Sequence, residues 1–188
     1  DFVFEGSHQV LAGLKESYRK FVVTCTAPSK TFNIASMMIS NIFIPNRELK
    51  AKFRAQLDAA GISQLNVLGL VACEAAYAHG EEWYEAMHSY VADNIAFTKE
   101  YVETQLPGVS MVDHEGTYLV WLDFRETGLS VDELENLIVH RAKLWLDSGK
   151  IFGDCGKGFQ RINVACPRAT LQEALDRIKT ALQESEAQ

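Results

Sequence analysis

The sequence predicts an α/β fold, and three observations carry that expectation. Strand-like runs rich in β-branched and aromatic residues, FVVT from Phe21, SNIFI from Ser40 and TYLVWLDF from Thr117, alternate with segments whose apolar residues recur at helical spacing. Ser130 to Glu133 and Thr170 to Glu173 both have the form Ser/Thr-x-x-Glu, which marks a helix start. Pro45, Gly61, Gly80 and the pair Pro107-Gly108 fall where one pattern gives way to the next.

In order along the chain, Phe21 to Thr24 and Ser40 to Ile44 read as buried strands, the second stopped by Pro45 and Asn46. Leu49, Phe53 and Leu57 predict a helix from Asn46 that ends at Gly61. LNVLGLVACEAAYA, from Leu65, is apolar nearly all round and predicts a buried helix interrupted at Gly80. Glu81 to about Gln105 is amphipathic, with Trp83, Met87, Tyr90, Val91, Phe97 and Tyr101 available to pack, and Pro107-Gly108 closes it. Val109 to Val112 and Thr117 to Phe124 predict neighbouring strands. Leu134, Leu137 and Ile138 supply the buried face of a helix started by Ser130. Leu144 to Leu146 and Arg161 to Ala165 predict two short strands, and Thr170 starts a last helix with Leu171, Leu175, Ile178 and Leu182 inward. The helix after Gly80 is the expected hinge if the chain holds two domains.

Composition narrows the function. A chain of 188 residues with 47% hydrophobic and 23% charged residues can bury a core and is not disordered. The net charge of -7 and the absence of a clustered basic stretch argue against nucleic-acid binding, so a small molecule is the expected ligand. Cys25, Cys73, Cys155 and Cys166 are widely spaced and predict reduced thiols in a cytoplasmic protein, not a zinc site or a disulfide framework. No apolar run is long enough to span a bilayer, and DFVFEGSHQV lacks the basic and apolar regions of a signal peptide. No membrane partner is expected. The first residue is not Met, which suggests a processed or truncated chain.

Several motifs fail on inspection. GDCGKG, from Gly153, lacks both the leading glycine and the Ser or Thr that a phosphate loop needs around its lysine. His79, His88 and Cys73 do not have the i, i+4 pairing of a helical metal site, so no metal is expected, and no G-x-S-x-G elbow is present. Lys30 stands apart from these. It lies between an apolar strand and an apolar helix, preceded by Thr26, the rigid Pro28 and Ser29. That setting predicts a partly dry pocket lined with hydroxyls, which would lower the amine pKa, favour Schiff-base chemistry and suit a phosphate ester.

The segment around it, TCTAPSKTFNIAS, resembles the cofactor-lysine segment of fold-type I pyridoxal-phosphate enzymes. SNIFIPN, EGTYLVWLDFR and IFGDCGKGFQRINVACPR resemble, in the same order, the cystathionine β-lyase and cystalysin branch that is similar to class I/II aminotransferases. The resemblance implies the C-terminal part of that fold: residues 1–80 ending the large cofactor-binding domain, and residues 81–188 forming a small domain with a short antiparallel sheet covered by helices. It implies a Schiff base between Lys30 and pyridoxal 5'-phosphate, with Ser29 and Thr26 as candidates for the phosphate. Arg161 is the implied ligand of the substrate α-carboxylate, with Arg168 as its competitor.

Two departures qualify it. The Ser and Arg that many fold-type I enzymes place around the lysine are Ala27 and Met38 here, and the lyase branch also lacks that Arg. The family's phosphate turn, its ring-stacking aromatic residue and its Asn and Asp on the cofactor ring have no counterpart, and Asp1 is not assigned the ring-nitrogen role. The implied function is β-elimination at a carbon–sulfur bond of an amino acid by a homodimeric enzyme of which this chain is a fragment, inactive alone. Transamination is the alternative within the family. A non-catalytic structural or interaction module is the alternative outside it.

Overall fold

Thr24–Thr26 (β1) pairs antiparallel with Asn41–Phe43 (β2), Cys25 opposite Ile42, in the computed structural model. The structure describes residues 2–62 and 64–186, so Asp1 lies outside the described residues. It divides into two units, Asp1–Met87 and His88–Gln188, and the boundary falls inside one helix.

In the first unit, a short helix Leu11–Leu14 (α1) and a 3-10 turn Glu16–Lys20 lead into β1. The strand expected from Phe21 starts later because the Tyr18 carbonyl accepts from the amides of Phe21 (3.1 Å) and Val22 (3.0 Å), which ties both residues to the turn. Arg47–Ala59 (α2) begins where the Asn46 side chain accepts from the Glu48 and Leu49 amides, and Gly61 follows its end. Asn46 also donates to the Lys20 carbonyl, which fixes the helix start against the preceding turn. Asn66 does the same for Val67–His79 (α3), accepting from the Leu68 amide and donating to the Met37 carbonyl. The burial expected for α3 is not observed: Gly69 is its one buried residue, while Val67, Leu68 and Val71 are more than 60% exposed. The helix meets other segments at Gly69, which faces Met37 and Ile39, at Cys73, which faces Asn41, and at Tyr77, while Val67, Leu68 and Val71 stay exposed among the described residues.

Glu81–Gln105 (α4) follows Gly80 and ends before Pro107-Gly108 as its sequence predicts. In the second unit Ser110–Met111 (β3), Leu119–Asp123 (β4), Asp147–Ser148 (β5) and Phe159–Asn163 (β6) form an antiparallel sheet of order β3-β4-β6-β5. Alternation along the strands sends Val120, Leu122, Gln160 and Ile162 to a buried face. That face shares the core with Val102 of α4, with Leu134 of Val131–Glu135 (α5), and with Leu171, Leu175 and Ile178 of Arg168–Glu186 (α6). Trp121, Phe159 and Arg161 lie on the opposite face.

The capping box at Ser130 is present: its hydroxyl accepts from the Glu133 amide, and the Glu133 carboxylate accepts from the Ser130 amide. Three other boundaries differ from expectation. The helix continues from α5 as a π-turn through Arg141, and the Ala142 and Leu144 amides close that turn on Leu137 and Ile138; this delays the strand expected at 144–146 to Asp147 and leaves Trp145 90% exposed. The strand expected from Arg161 begins at Phe159. The last helix starts at Arg168, so Thr170 sits inside its first turn and caps nothing; its amide donates to the Pro167 carbonyl at 2.9 Å. No described helix is long and apolar enough to cross a membrane, and no cluster of His, Cys, Asp and Glu suited to a metal occurs among the described residues.

One polar network ties the end of α5 to the sheet. Glu135 accepts from buried Gln160 (3.0 Å) and pairs with Lys150 (3.3 Å). Burial alone would raise the Glu135 carboxyl, but hydrogen bonds from Ser148, Gln160 and Lys150, with the Lys150 charge, hold it below its ordinary value. A lowered carboxyl adds stability above its unfolded pKa and loses it as the pH falls through the folded value. Urea denaturation of Glu135→Gln should show a loss of about 1–3 kcal/mol near pH 7. Once the pH has fallen through the lowered folded value, so that the native carboxyl is protonated as well, the two proteins should differ little.

Candidate functional site

Lys30 follows β1 on a tight turn. Pro28 is buried, its carbonyl accepts from the Phe32 amide, and the Ser29 carbonyl accepts from the Ile34 amide, each at 2.9 Å. Asn33 then takes a left-handed conformation with φ of 53°, which Asn tolerates better than most residues. The turn therefore stops after one revolution and passes into a 3-10 segment, Ala35–Met37, where the sequence predicted a helix.

Phe32 anchors this turn. Its ring lies 5.8 Å from that of Tyr77, 6.0 Å from Trp83 and 6.4 Å from Tyr84, and Tyr84 stacks on Phe2 at 6.1 Å. Gly80, between α3 and α4, gives Phe32 its room: a Cβ there would stand 2.6 Å from the Phe32 ring and 2.4 Å from the Ala76 carbonyl. The backbone turn that carries Lys30 is thus held by packing two residues away, while the Lys30 side chain is exposed.

A cleft of about 590 Å³ opens at this turn, and Thr26, Ser29, Lys30, His8 and Tyr84 are among its lining. Thr26 and Lys30 are exposed and Ser29 is half-buried, so the dry wall expected around the amine is not built by the described residues. The structure thus brings Lys30, Ser29 and Thr26 to one cleft. His8, Tyr77 and Tyr84 were not singled out from sequence; Tyr77 and Tyr84 read as ordinary helical aromatics, and nothing in SHQ marks the histidine.

Arg161 belongs to the second unit, on the face of β6 away from the core. Trp121 of β4 and Asp147 of β5 stand directly opposite it in the ladder. Its Nε and Nη2 donate to Asp147 Oδ2 at 3.1 and 2.7 Å. Its Cζ lies 4.7 Å from the Phe152 ring centre and 5.9 Å from that of Trp121, and the two rings meet edge-on at 5.1 Å. The segment carrying Phe152 is closed by a backbone crossing of Gly149 and Gly156, where a Cβ on Gly149 would fall 1.9 Å from the Gly156 carbonyl. A second cavity, of about 330 Å³, is lined in part by Arg161, Asp147, Trp145 and Cys166. Burial pushes the Cys166 thiol above its ordinary value.

Arg168 is held otherwise. Its Nε donates to buried Asn94 at 2.7 Å, its guanidinium lies 4.3 Å from the Phe97 ring centre, and Asn94 in turn donates to the Val164 and Cys166 carbonyls. These contacts join α4 to the strand end and the start of α6. Gly80→Ala should cost about 1–3 kcal/mol through overpacking at Phe32. Urea denaturation followed by Trp83 fluorescence checks this, and an unchanged midpoint would show that Phe32 is not tightly held.

No family model matches the chain. The chain is 42% identical over 175 residues to cystathionine beta-lyase PatB of Bacillus subtilis, a match that covers 93% of this chain and 45% of the relative. It is 36% identical to the cystathionine beta-lyase of Corynebacterium glutamicum, covering 96% of this chain and 48% of that protein. The crystal structure of cystalysin from Treponema denticola, which contains a pyridoxal 5'-phosphate cofactor, superposes with a TM-score of 0.93 at 36% identity over 98% of this chain and 47% of its own. The chain thus spans about half the length of the relatives it matches. In sequence and in fold it belongs to the cystathionine β-lyase branch of the fold-type I pyridoxal-phosphate enzymes and carries the C-terminal part of that fold.

Proposed function

We propose that this chain supplies the cofactor lysine and the carboxylate-binding arginine of an enzyme that cleaves a carbon–sulfur bond of an amino acid by β-elimination. The observation that carries the reading is Lys30, held by the Phe32 packing on a turn at the mouth of a 590 Å³ cleft. The donor set fits pyridoxal 5'-phosphate: an amine for its aldehyde, and the hydroxyls of Ser29 and Thr26 for its phosphate ester. The bound cofactor supplies an electron sink for the carbanion at the substrate Cα. Lys30 takes the Cα proton on its Nζ as general base. Arg161 holds the α-carboxylate through its planar fork. The Cβ–S bond breaks with its electron pair leaving on sulfur as a thiolate, and water releases the rest as a 2-oxo acid and ammonia.

In this reading residues 1–80 finish the large domain and 81–188 form the small domain, close to the division at Met87 and His88. The full-length enzyme is a cytoplasmic homodimer, a state supported by the uncovered apolar positions of α3 and by four free cysteines. It takes a small amino acid and neither nucleic acid nor membrane; the charge of -7 supports the former.

Product analysis of the full-length protein with L-cystathionine tests the reading. Thiol, ammonia and 2-oxo acid should appear in equal amounts with no second oxo acid added, and Lys30→Ala should lose at least about 10²-fold in kcat. Product formation that requires an added oxo acid would establish transamination in its place, and a Lys30→Ala variant as fast as native would overturn the role of the lysine.

A further inference from the structure

We propose that Asp147 is a positioning residue for the carboxylate site, holding one edge of the Arg161 guanidinium so that the other edge alone meets the substrate. This rests on the reading of Arg161 given above. A guanidinium offers a carboxylate two paired edges, Nε with Nη2 and Nη1 with Nη2. Asp147 uses the first: both Nε and Nη2 donate to its Oδ2, and no described residue hydrogen-bonds Nη1. The pair is set by the sheet itself, because Asp147 and Arg161 are direct ladder partners and the next pair is Ser148 with Gln160.

The surroundings favour a fixed arginine over a mobile surface pair. The Arg161 side chain is 24% exposed and the Phe152 ring covers its plane, so rotation about the last bonds would break both the ring contact and the hydrogen bonds. β5 is two residues long and gains little from its own ladder. Glu135 ties it down by accepting from Ser148 and Gln160 on either side of that pair. The Asp147 side chain is 46% exposed, and the Nη1 edge of the guanidinium, which no described residue hydrogen-bonds, is left for an incoming carboxylate. The negative charge also offsets one unit of positive charge at the site, so a carboxylate is bound by directed hydrogen bonds more than by net charge.

The alternative is that Asp147 competes for the fork and must be displaced by substrate; the two differ in sign. In the full-length holoenzyme, Asp147→Asn should raise the KM for L-cystathionine by about five- to tenfold with kcat nearly unchanged, the size of a lost charged hydrogen bond. The dissociation constant of glycine, which has no group to eliminate, should rise in parallel, and Asp147→Glu should recover part of both effects. An Asp147→Asn/Arg161→Lys double variant should bind no worse than Arg161→Lys alone, because the two residues act through one another. A lowered KM and glycine constant in Asp147→Asn would overturn the proposal in favour of competition, and unchanged values would leave Asp147 as a structural surface partner. Arg161→Ala separates the two failures: if its KM is raised while Asp147→Asn is native-like, this inference alone falls, whereas a native KM in Arg161→Ala removes the carboxylate reading and this inference with it.

Discussion

The packing of Phe32 is the constraint on which the turn carrying Lys30 depends. A lysine on an exposed turn would normally lose considerable side-chain and backbone entropy when fixed to a ligand. Here the turn is already closed by two backbone hydrogen bonds and by a ring set among Tyr77, Trp83 and Tyr84. The break between α3 and α4 at Gly80 admits that ring, so the helix boundary and the position of the turn that carries Lys30 are linked. Folding alone therefore fixes the backbone at Lys30, while its side chain stays exposed.

The second unit solves the same problem with different means. Arg161 sits in the middle of a strand, and its neighbours in the ladder, Trp121 and Asp147, are given by the antiparallel register. Phe152 reaches the guanidinium because Gly149 and Gly156 let two backbone segments cross in contact. Arg168 is close in sequence but is committed to Asn94 and Phe97 in the core contacts of α4. Arg168 thus joins α4 to the start of α6, whereas Arg161 is held within the sheet by Asp147.

Much of this was legible in the sequence wherever a local signal carried it. The Ser130 capping box, the Asn46 helix start, the Pro107-Gly108 stop and the inward face Leu171, Leu175, Ile178 and Leu182 all follow from short-range patterns, and the structure has each of them. The failures are tertiary. The π-turn that delays β5 depends on where the Ala142 and Leu144 amides find partners, and the start of α6 depends on the Pro167 carbonyl; neither is visible in an apolar period. The apolar run of α3 predicted burial, but apolar character shows only that a surface needs covering, not which chain covers it. Lys30 and Arg161 are candidates because ordered segments resemble a known branch, whereas the contacts of Asp147 and Phe152 with Arg161 are visible only through the ladder and the glycine crossing.

The central claim is that Lys30 is the amine that holds pyridoxal 5'-phosphate. Its most direct test is to incubate the full-length protein with the cofactor, reduce with borohydride, digest, and locate the adduct by mass spectrometry. The account predicts a single stoichiometric phosphopyridoxyl group on the peptide that contains Lys30. A stoichiometric adduct on any other lysine, or a native protein that binds the cofactor without forming a reducible bond, would contradict it.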